Sequence, residues 1–165
     1  MREILIIEDS QTDARLLKRT LQAVGVGNPI THVLSGKQAL KWLARAVAAA
    51  RKEHGPVMAI FFLDLKLPDL SGFEILARIK EEAVLAETLR IVLTQFGDLD
   101  SIRRAYSLGA HSFLNKPATQ EDVKELIKGF PDYWMVARTR RRSTAGQVAK
   151  NRRAGTDSRS GASAT

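Results

Sequence analysis

The sequence predicts an α/β fold in which a five-stranded parallel sheet is covered by helices on both faces. Short apolar runs alternate strictly with helical patterns five times along the chain. Strict alternation indicates βαβ units with right-handed crossovers, which make the strands parallel. The run from Ala59 to Leu63 is continuously apolar, as expected for a strand buried on both faces of a sheet. With 165 residues and 44% hydrophobic content, the chain has the size of one domain with a buried core.

The five predicted strands are short runs of β-branched and other large apolar residues, bounded by turn and cap residues. In chain order they cover residues 3–7, 30–34, 59–64, 90–93 and 112–114. The third strand ends at the carboxylate of Asp64, and Pro68 marks the turn that follows it. This central strand and its loop are therefore the part of the chain around which we expect the fold to be built.

The five predicted helices combine polar residues at their starts with apolar residues at helical spacing. They run from about residue 10 to 24, 35 to 53, 72 to 83, 98 to 108 and 119 to 130. Four of them begin at a Ser or Thr that is followed three residues later by an acidic or amide side chain, the pattern of a helix cap. These cap residues are Ser10, Ser35, Ser71 and Thr119.

Positive charge is concentrated at the C-terminal end of the chain. Residues 136–165 hold eight basic residues against Asp157, whereas residues 1–135 hold 18 basic and 17 acidic residues. The last thirty residues have almost no large apolar side chains, so burial there cannot offset the entropy of ordering. We therefore predict a globular domain over residues 1–135 and a basic, disordered tail over residues 136–165.

Composition excludes several kinds of site. The chain has no cysteine, so it has neither a disulfide framework nor a thiolate metal site. His32, His54 and His111 are far apart in the sequence and show no ligand spacing. The N-terminal apolar run is interrupted by Glu8 and Asp9, so it is no signal peptide, and no later stretch approaches membrane-span length. We expect a cytoplasmic protein without a membrane partner.

Functional side chains follow four of the predicted strands. Glu8-Asp9 come after the first strand, Asp64 ends the third, Thr94 the fourth, and Lys116 comes after the fifth. Because parallel strands end at the same edge of an open α/β sheet, these groups are expected to meet there. Three carboxylates repel one another strongly and need a cation, and oxygen ligands favour Mg²⁺. The set is suited to phosphoryl transfer onto Asp64, with charge neutralisation by the cation and the lysine.

These residues, together with the loop DLKLPDLSG from Asp64 to Gly72, resemble the receiver domain of two-component response regulators. The resemblance covers residues 3 to about 130 and includes the Lys116-Pro117 pair and the separations between Asp64, Thr94 and Lys116. It implies the doubly wound, flavodoxin-like fold with strand order 2-1-3-4-5. It also implies a regulatory phosphoacceptor rather than an enzyme acting on other molecules.

The resemblance implies a role for each site residue. Asp64 would accept the phosphoryl group from the phosphohistidine of a sensor histidine kinase. Thr94 and Lys116 would contact the phosphoryl oxygens, and Phe113 would be the switch aromatic that moves inward when Thr94 is drawn to the phosphate. The implied Mg²⁺ ligands are Glu8, Asp9, Asp64 and the backbone carbonyl of Lys66.

Two features set this chain apart within the family. Gln95 and Phe96 follow Thr94, where receivers usually carry a small residue. The long second helix and the ending from Phe130 to Trp134 resemble the single-domain regulators that are paired with phytochrome-type histidine kinases. No output domain follows the last helix, so we expect a stand-alone regulator that either relays the phosphoryl group or signals by a phosphorylation-dependent contact with an unidentified partner protein. Receivers often dimerise, and a homodimer is a further expectation.

Two other functions compete with this interpretation. A haloacid-dehalogenase-type phosphatase also uses an aspartate at a strand end with Mg²⁺, but it needs a second aspartate two residues later, where this chain has Lys66. The Arg-rich tail has the charge to bind nucleic acid phosphates. It lacks aromatic residues for base stacking, so nucleic acid is not the favoured partner.

Overall fold

The structure is a computed structural model that describes residues 1–95 and 97–137. Phe96 and the part of the predicted basic tail from residue 138 onward lie outside the described residues. Five strands form one parallel sheet in the order β2-β1-β3-β4-β5, which confirms the predicted class and strand order. The strands are β1 (Glu3–Ile7), β2 (Ile30–Val33), β3 (Ala59–Asp64), β4 (Leu89–Thr94) and β5 (Ser112–Asn115).

Five α-helices connect and follow the strands: α1 (Gln11–Ala23), α2 (Gly36–Glu53), α3 (Gly72–Glu81), α4 (Leu99–Ser107) and α5 (Gln120–Gly129). Short 3₁₀ turns follow α3 at Ala83–Leu85 and α5 at Pro131–Tyr133. Among the described residues, no helix combines the length and the apolar character that crossing a bilayer requires.

Side-chain caps begin all five helices, each accepting a backbone N–H of the first turn. The predicted capping box of Ser71 and Glu74 is confirmed. The one predicted for Ser35 and Gln38 is only half correct. Ser35 accepts the Gln38 N–H, but the Gln38 side chain accepts the N–H of Leu34 at 2.8 Å. That bond occupies the Leu34 N–H, and β2 ends at Val33, one residue earlier than predicted.

The sheet separates two apolar layers. All six residues of β3 are buried. Leu5 and Phe61 face the layer that contains α2 and α3, whereas Ile4 and Phe62 face the layer of α1 and α5. Each fully buried large apolar side chain contributes about 1.5–3 kcal/mol, so these two layers are the main source of stability. They hold the strand ends in the register on which the site depends.

The C-terminal end of the described chain packs beside the loop between α1 and β2. Met135 N–H donates to the Asn28 side chain at 2.7 Å, and Gly27 N–H donates to the Met135 carbonyl at 2.6 Å. Val136 forms an antiparallel bridge with Val26. The ordered backbone pairing therefore continues past residue 135, where the sequence analysis places the domain boundary.

Candidate functional site

The carboxyl ends of the strands border a cleft of about 580 Å³. Six of the seven predicted site residues line this cleft, because the parallel register brings the ends of β1, β3, β4 and β5 to one edge. These six are Glu8, Asp9, Asp64, Lys66, Thr94 and Lys116.

Lys116 is the centre of the ion pairs in the cleft. Its Nζ donates to Glu8 Oε2 at 2.8 Å and to Asp64 Oδ2 at 2.9 Å, and it lies 3.3 Å from Asp13 Oδ2. The side chains of Glu8 and Asp64 are only 1% and 9% exposed. A single ammonium group therefore joins carboxylates from β3, from the end of β1 and from α1.

Three carboxylates lie close enough together to bind one cation. Carboxylate oxygens of Glu8, Asp9 and Asp64 are all within 4.8 Å of one another, with Asp9 exposed and the other two buried. Lys116 supplies one positive charge against these groups and Asp13. The residual negative charge and the all-oxygen donor set fit a hard divalent cation such as Mg²⁺.

Burial shapes the protonation of this cluster. Burial raises the pKa of Glu8 from 4.5 to about 7, and hydrogen bonds from Lys116 and from the Ser10 N–H only partly oppose that effect. Burial alone lowers the pKa of Lys116, but its hydrogen bonds to Glu8 and Asp64 outweigh it and raise this pKa above the ordinary value. Lys116 is therefore a permanent cation, whereas Glu8 is a carboxylate whose charge is costly without a second cation.

The loop after Asp64 is fixed at its base. The Lys66 N–H donates to Asp64 Oδ1 at 2.9 Å, which orients the carboxylate, and Lys66 forms an antiparallel bridge with Ser71. At Gly72, an added Cβ would lie 2.6 Å from the Asp64 carbonyl oxygen. Only glycine therefore allows the helix α3 to begin so close to the end of β3.

The tip of the same loop is anchored to α2. The Asp69 carboxylate accepts the N–H groups of Gly36 and Lys37, both at 2.8 Å. The side chain of Leu70 packs so closely on Gly36 that an added Cβ would lie 2.6 Å from the Leu70 Cβ. Two contacts thus tie the loop that follows Asp64 to the first turn of a neighbouring helix.

The two predicted switch residues lie in different places. Thr94 is half-buried at the end of β4 and lines the cleft, and its carbonyl accepts the Lys116 N–H at 2.7 Å. Phe113 on β5 pairs with Val92 on β4, is 36% exposed and does not line the cleft. In this structure the aromatic ring thus has an outward, solvent-accessible position.

Sequence reasoning missed three contributors to the cleft. Asp13 contacts Lys116, and its place in the first turn of α1, directly after the Glu8-Asp9 pair, is the signal that would have shown it. Ser101 and Arg104 on α4 also line the cleft, and the Arg104 guanidinium lies 4.2 Å from the centre of the Phe73 ring. No local pattern indicates these two, because the packing of α4 beside α3 alone brings them there.

Comparison with known proteins finds one family. The chain matches the response regulator receiver domain over residues 4–128. It is 33% identical over 132 residues to the probable methanogenesis regulatory protein FilR2 of Methanothrix harundinacea strain 6Ac, which covers 80% of this chain and 83% of FilR2. Among solved structures, the bacteriophytochrome response regulator RtBRR has a TM-score of 0.69 at 27% identity, over 84% of this chain and 82% of RtBRR. The Mn²⁺-bound form of response regulator Rcp1 has a TM-score of 0.57 at 27% identity, over 81% of this chain and 94% of Rcp1.

Proposed function

This chain belongs to the response regulator receiver family, and on that premise we propose that Asp64 accepts a phosphoryl group from a sensor histidine kinase in the presence of Mg²⁺. The observation that carries the proposal is the placement of Asp64. It ends the central strand with the Lys116 ammonium 2.9 Å from one carboxylate oxygen and the carboxylates of Glu8 and Asp9 within 4.8 Å. This arrangement combines a nucleophile with the charges that phosphoryl transfer requires.

Transfer would form a bond between an Asp64 carboxylate oxygen and phosphorus while the bond from phosphorus to the kinase imidazole nitrogen breaks. The electron pair of the broken bond stays on that nitrogen. Asp64 Oδ1 accepts the Lys66 N–H and Oδ2 accepts from Lys116, and we take Oδ2 as the attacking oxygen because the flexible lysine can move to the phosphoryl group whereas the backbone N–H cannot. Lys116 would then contact a phosphoryl oxygen while Glu8 keeps it oriented.

The carboxylates of Glu8, Asp9 and Asp64, with the backbone carbonyl of Lys66, would hold the Mg²⁺ ion. When bound, the ion neutralises charge on the phosphoryl oxygens and on the crowded carboxylates. The raised pKa of Glu8 supports this assignment, because a buried carboxylate in excess of its lysine partner favours a second cation. A Mn²⁺-bound form exists for the similar protein Rcp1, which supports a divalent cation as a ligand of this chain.

The output would be a change of surface that a partner protein reads. The Thr94 hydroxyl would bind a phosphoryl oxygen, and the exposed Phe113 ring would move inward into the space thus vacated. The likeness to RtBRR, a bacteriophytochrome response regulator, makes a phytochrome-type histidine kinase in the cytoplasm the proposed phosphoryl donor. A homodimer is the proposed assembly, and the downstream protein is identified only by its preference for the phosphorylated surface.

The test is phosphorylation by acetyl phosphate with Mg²⁺, followed by intact-mass measurement and hydroxylamine treatment. The wild type should gain a single hydroxylamine-labile phosphate, and Asp64→Asn should gain none. Asp98→Asn is a matched control, because Asp98 lines the same cleft and asparagine is an equally good helix N-cap. Equal labelling of Asp64→Asn and the wild type would show that the phosphoacceptor lies elsewhere.

A further inference from the structure

Charge is strongly segregated within the described domain. Residues 14–52, which include most of α1, all of β2 and all of α2 except its last residue, Glu53, contain eight basic residues and no Asp or Glu. The rest of residues 1–137 holds ten basic and 17 acidic residues. The eight basic residues are all exposed: Arg15, Lys18, Arg19, Lys37, Lys41, Arg45, Arg51 and Lys52. Among the described residues, only Arg51 of these eight forms an ion pair, with Glu82 at 2.8 Å.

The fold brings these charges to one edge of the molecule. β2 is the edge strand of the sheet, and α1 and α2 pack against its opposite faces. On the α1 side, Arg15, Lys18 and His32 line a groove of about 440 Å³. On the α2 side, Lys37, Lys41 and Arg45 recur at intervals of four residues, about one per turn along a helix about 27 Å long. We call this surface of α1, β2 and α2 the basic edge.

The Arg-rich C-terminal segment begins at the same edge. The Ala137 N–H donates to the Gly25 carbonyl at 3.0 Å, and Val136 pairs with Val26. Both partners belong to the loop between α1 and β2. Residues 138–165 carry eight basic residues and one acidic residue, so the chain adds a further net charge of +7 starting from this position.

We propose that the basic edge binds the phosphate backbone of duplex nucleic acid without regard to base sequence. Phosphates along a duplex are regularly spaced anions, and each lysine or arginine contact releases condensed counterions. The only tryptophan of α2, Trp42, is half-buried, with its ring packed edge-on against Phe61. Among the described residues, the basic edge therefore has no fully exposed tryptophan for base stacking, which favours a duplex over a single strand.

An anionic membrane is the less fitting partner. The exposed residues of α2 are mostly lysine, arginine and alanine, whereas a helix that lies in a bilayer surface needs large apolar side chains facing the lipid. The Arg-rich tail taken alone, which lacks aromatic residues, does not favour nucleic acid as a partner. The folded domain makes nucleic acid a better-fitting partner, because it adds eight exposed basic residues beside the point where the tail begins. This inference goes beyond the proposed phosphoacceptor function and does not depend on it.

The test measures binding of the full chain to a fluorescent DNA duplex of arbitrary sequence by anisotropy, over a range of salt concentrations. The basic-edge variant combines Arg15→Glu, Lys18→Glu, Lys41→Glu and Arg45→Glu. The control variant has the same net charge and reverses four exposed residues elsewhere: Lys80→Glu, Arg103→Glu, Lys124→Glu and Lys128→Glu. A second basic-edge variant has Gln at the same four positions. Circular dichroism of both variants checks that any loss of binding is not caused by misfolding.

We expect the wild type to bind with strong salt dependence. At about 0.1 M salt the basic-edge variants should bind about 10³-fold more weakly, and their salt slope should fall by about 3.6, because each lost phosphate contact removes about 0.9. The control variant should lose much less. Three results would overturn the proposal: equal losses in the basic-edge and control variants, loss only on replacing Arg140, Arg141 and Arg142, or tighter binding to phosphatidylserine vesicles than to the duplex.

Discussion

The two ends of the sheet each hold a largely buried cation. One cation is hydrogen-bonded to carboxylates and the other only to neutral oxygen atoms. At the carboxyl ends of the strands, Lys116 is bonded to the carboxylates of Glu8 and Asp64. At the other end, Arg90 near the start of β4 is bonded only to neutral oxygens: Leu85 O, Ala86 O, Thr88 Oγ1 and Gly109 O, at 3.0 to 3.1 Å. Accordingly, burial lowers the pKa of Arg90, whereas hydrogen bonds to carboxylates raise that of Lys116 in spite of burial.

The difference distinguishes a structural group from a group prepared for a ligand. Arg90 ties the turn before β4 to the loop before β5, and its acceptors carry no net charge that a further ion would need to balance. Lys116 faces more carboxylates than it can neutralise. Buried charge without full compensation is costly, so we expect a bound cation to stabilise the carboxyl end of the sheet and not the opposite end.

The largest loss of stability is expected on replacing Arg90. Arg90→Met removes the donor to four oxygen acceptors and should lower the free energy of unfolding by about 3 kcal/mol. The loss should be the same with and without Mg²⁺ in urea unfolding. Arg103→Met, an exposed arginine on α4, is the control and should cost less than about 0.5 kcal/mol. If Mg²⁺ restored the unfolding free energy of Arg90→Met, a cation would stabilise both ends of the sheet, and the proposed difference between them would be wrong.

Lys116→Met should cost about 2 kcal/mol of unfolding free energy without Mg²⁺, because it leaves Glu8 and Asp64 close together with no counter-charge. Millimolar Mg²⁺ should restore most of this loss, since the cation takes over the role of the ammonium group. The measurement is the Mg²⁺-dependent rise in the unfolding midpoint, which should be larger in Lys116→Met than in the wild type. An equal or smaller rise would show that the metal does not share the carboxylates of Lys116.

The pH dependence of stability tests the burial of Glu8. Its pKa is about 7 in the folded protein and 4.5 as the reference value for the unfolded chain. Between these values the folded state keeps a proton that the unfolded state has lost, so the unfolding free energy should fall as pH rises through this window. We expect this fall in Mg²⁺-free wild type and not in Glu8→Gln. Identical pH profiles of the two proteins would mean that Glu8 does not carry the effect.

The smallest loss of stability is expected on replacing Thr94, the last residue of β4. Thr88, which directly precedes β4, is the residue for comparison. Thr88 is fully buried, bonds the Leu85 carbonyl at 2.7 Å and accepts from Arg90, so Thr88→Ala should cost about 1–2 kcal/mol. Thr94→Ala should cost less than about 0.5 kcal/mol.

The same two variants should differ in the opposite sense when beryllofluoride is added as an aspartyl-phosphate mimic. Amide spectra of Thr88→Ala should keep the wild-type changes around Phe113 and α4. Thr94→Ala should lose most of them, because it lacks the hydroxyl that would contact the phosphoryl group. If Thr94→Ala responds as the wild type does, the switch runs through Lys116 or the loop at Gln95.

Local sequence signals determined the helices and strands and six of the residues that line the cleft. Caps such as Ser71 with Glu74 mark helix starts because the backbone N–H groups of a first turn need acceptors, and these acceptors lie within three residues. The residues at the strand ends could be assembled into one site from the sequence because parallel strands in alternation with helices must end at one edge. Their roles in phosphoryl transfer stay predictions.

Only the tertiary structure decided which side chains of different helices, strands and turns contact one another. The Asp69 carboxylate caps α2 from 32 and 33 residues away, and Arg90 finds its acceptors in two separate turns. Neither is visible in a local pattern, because hydrogen-bond partners between elements depend on packing distances rather than on spacing along the chain. The basic edge is the same kind of case: its charges are spread over 38 residues of sequence and become one surface only because β2 lies at the edge of the sheet between α1 and α2.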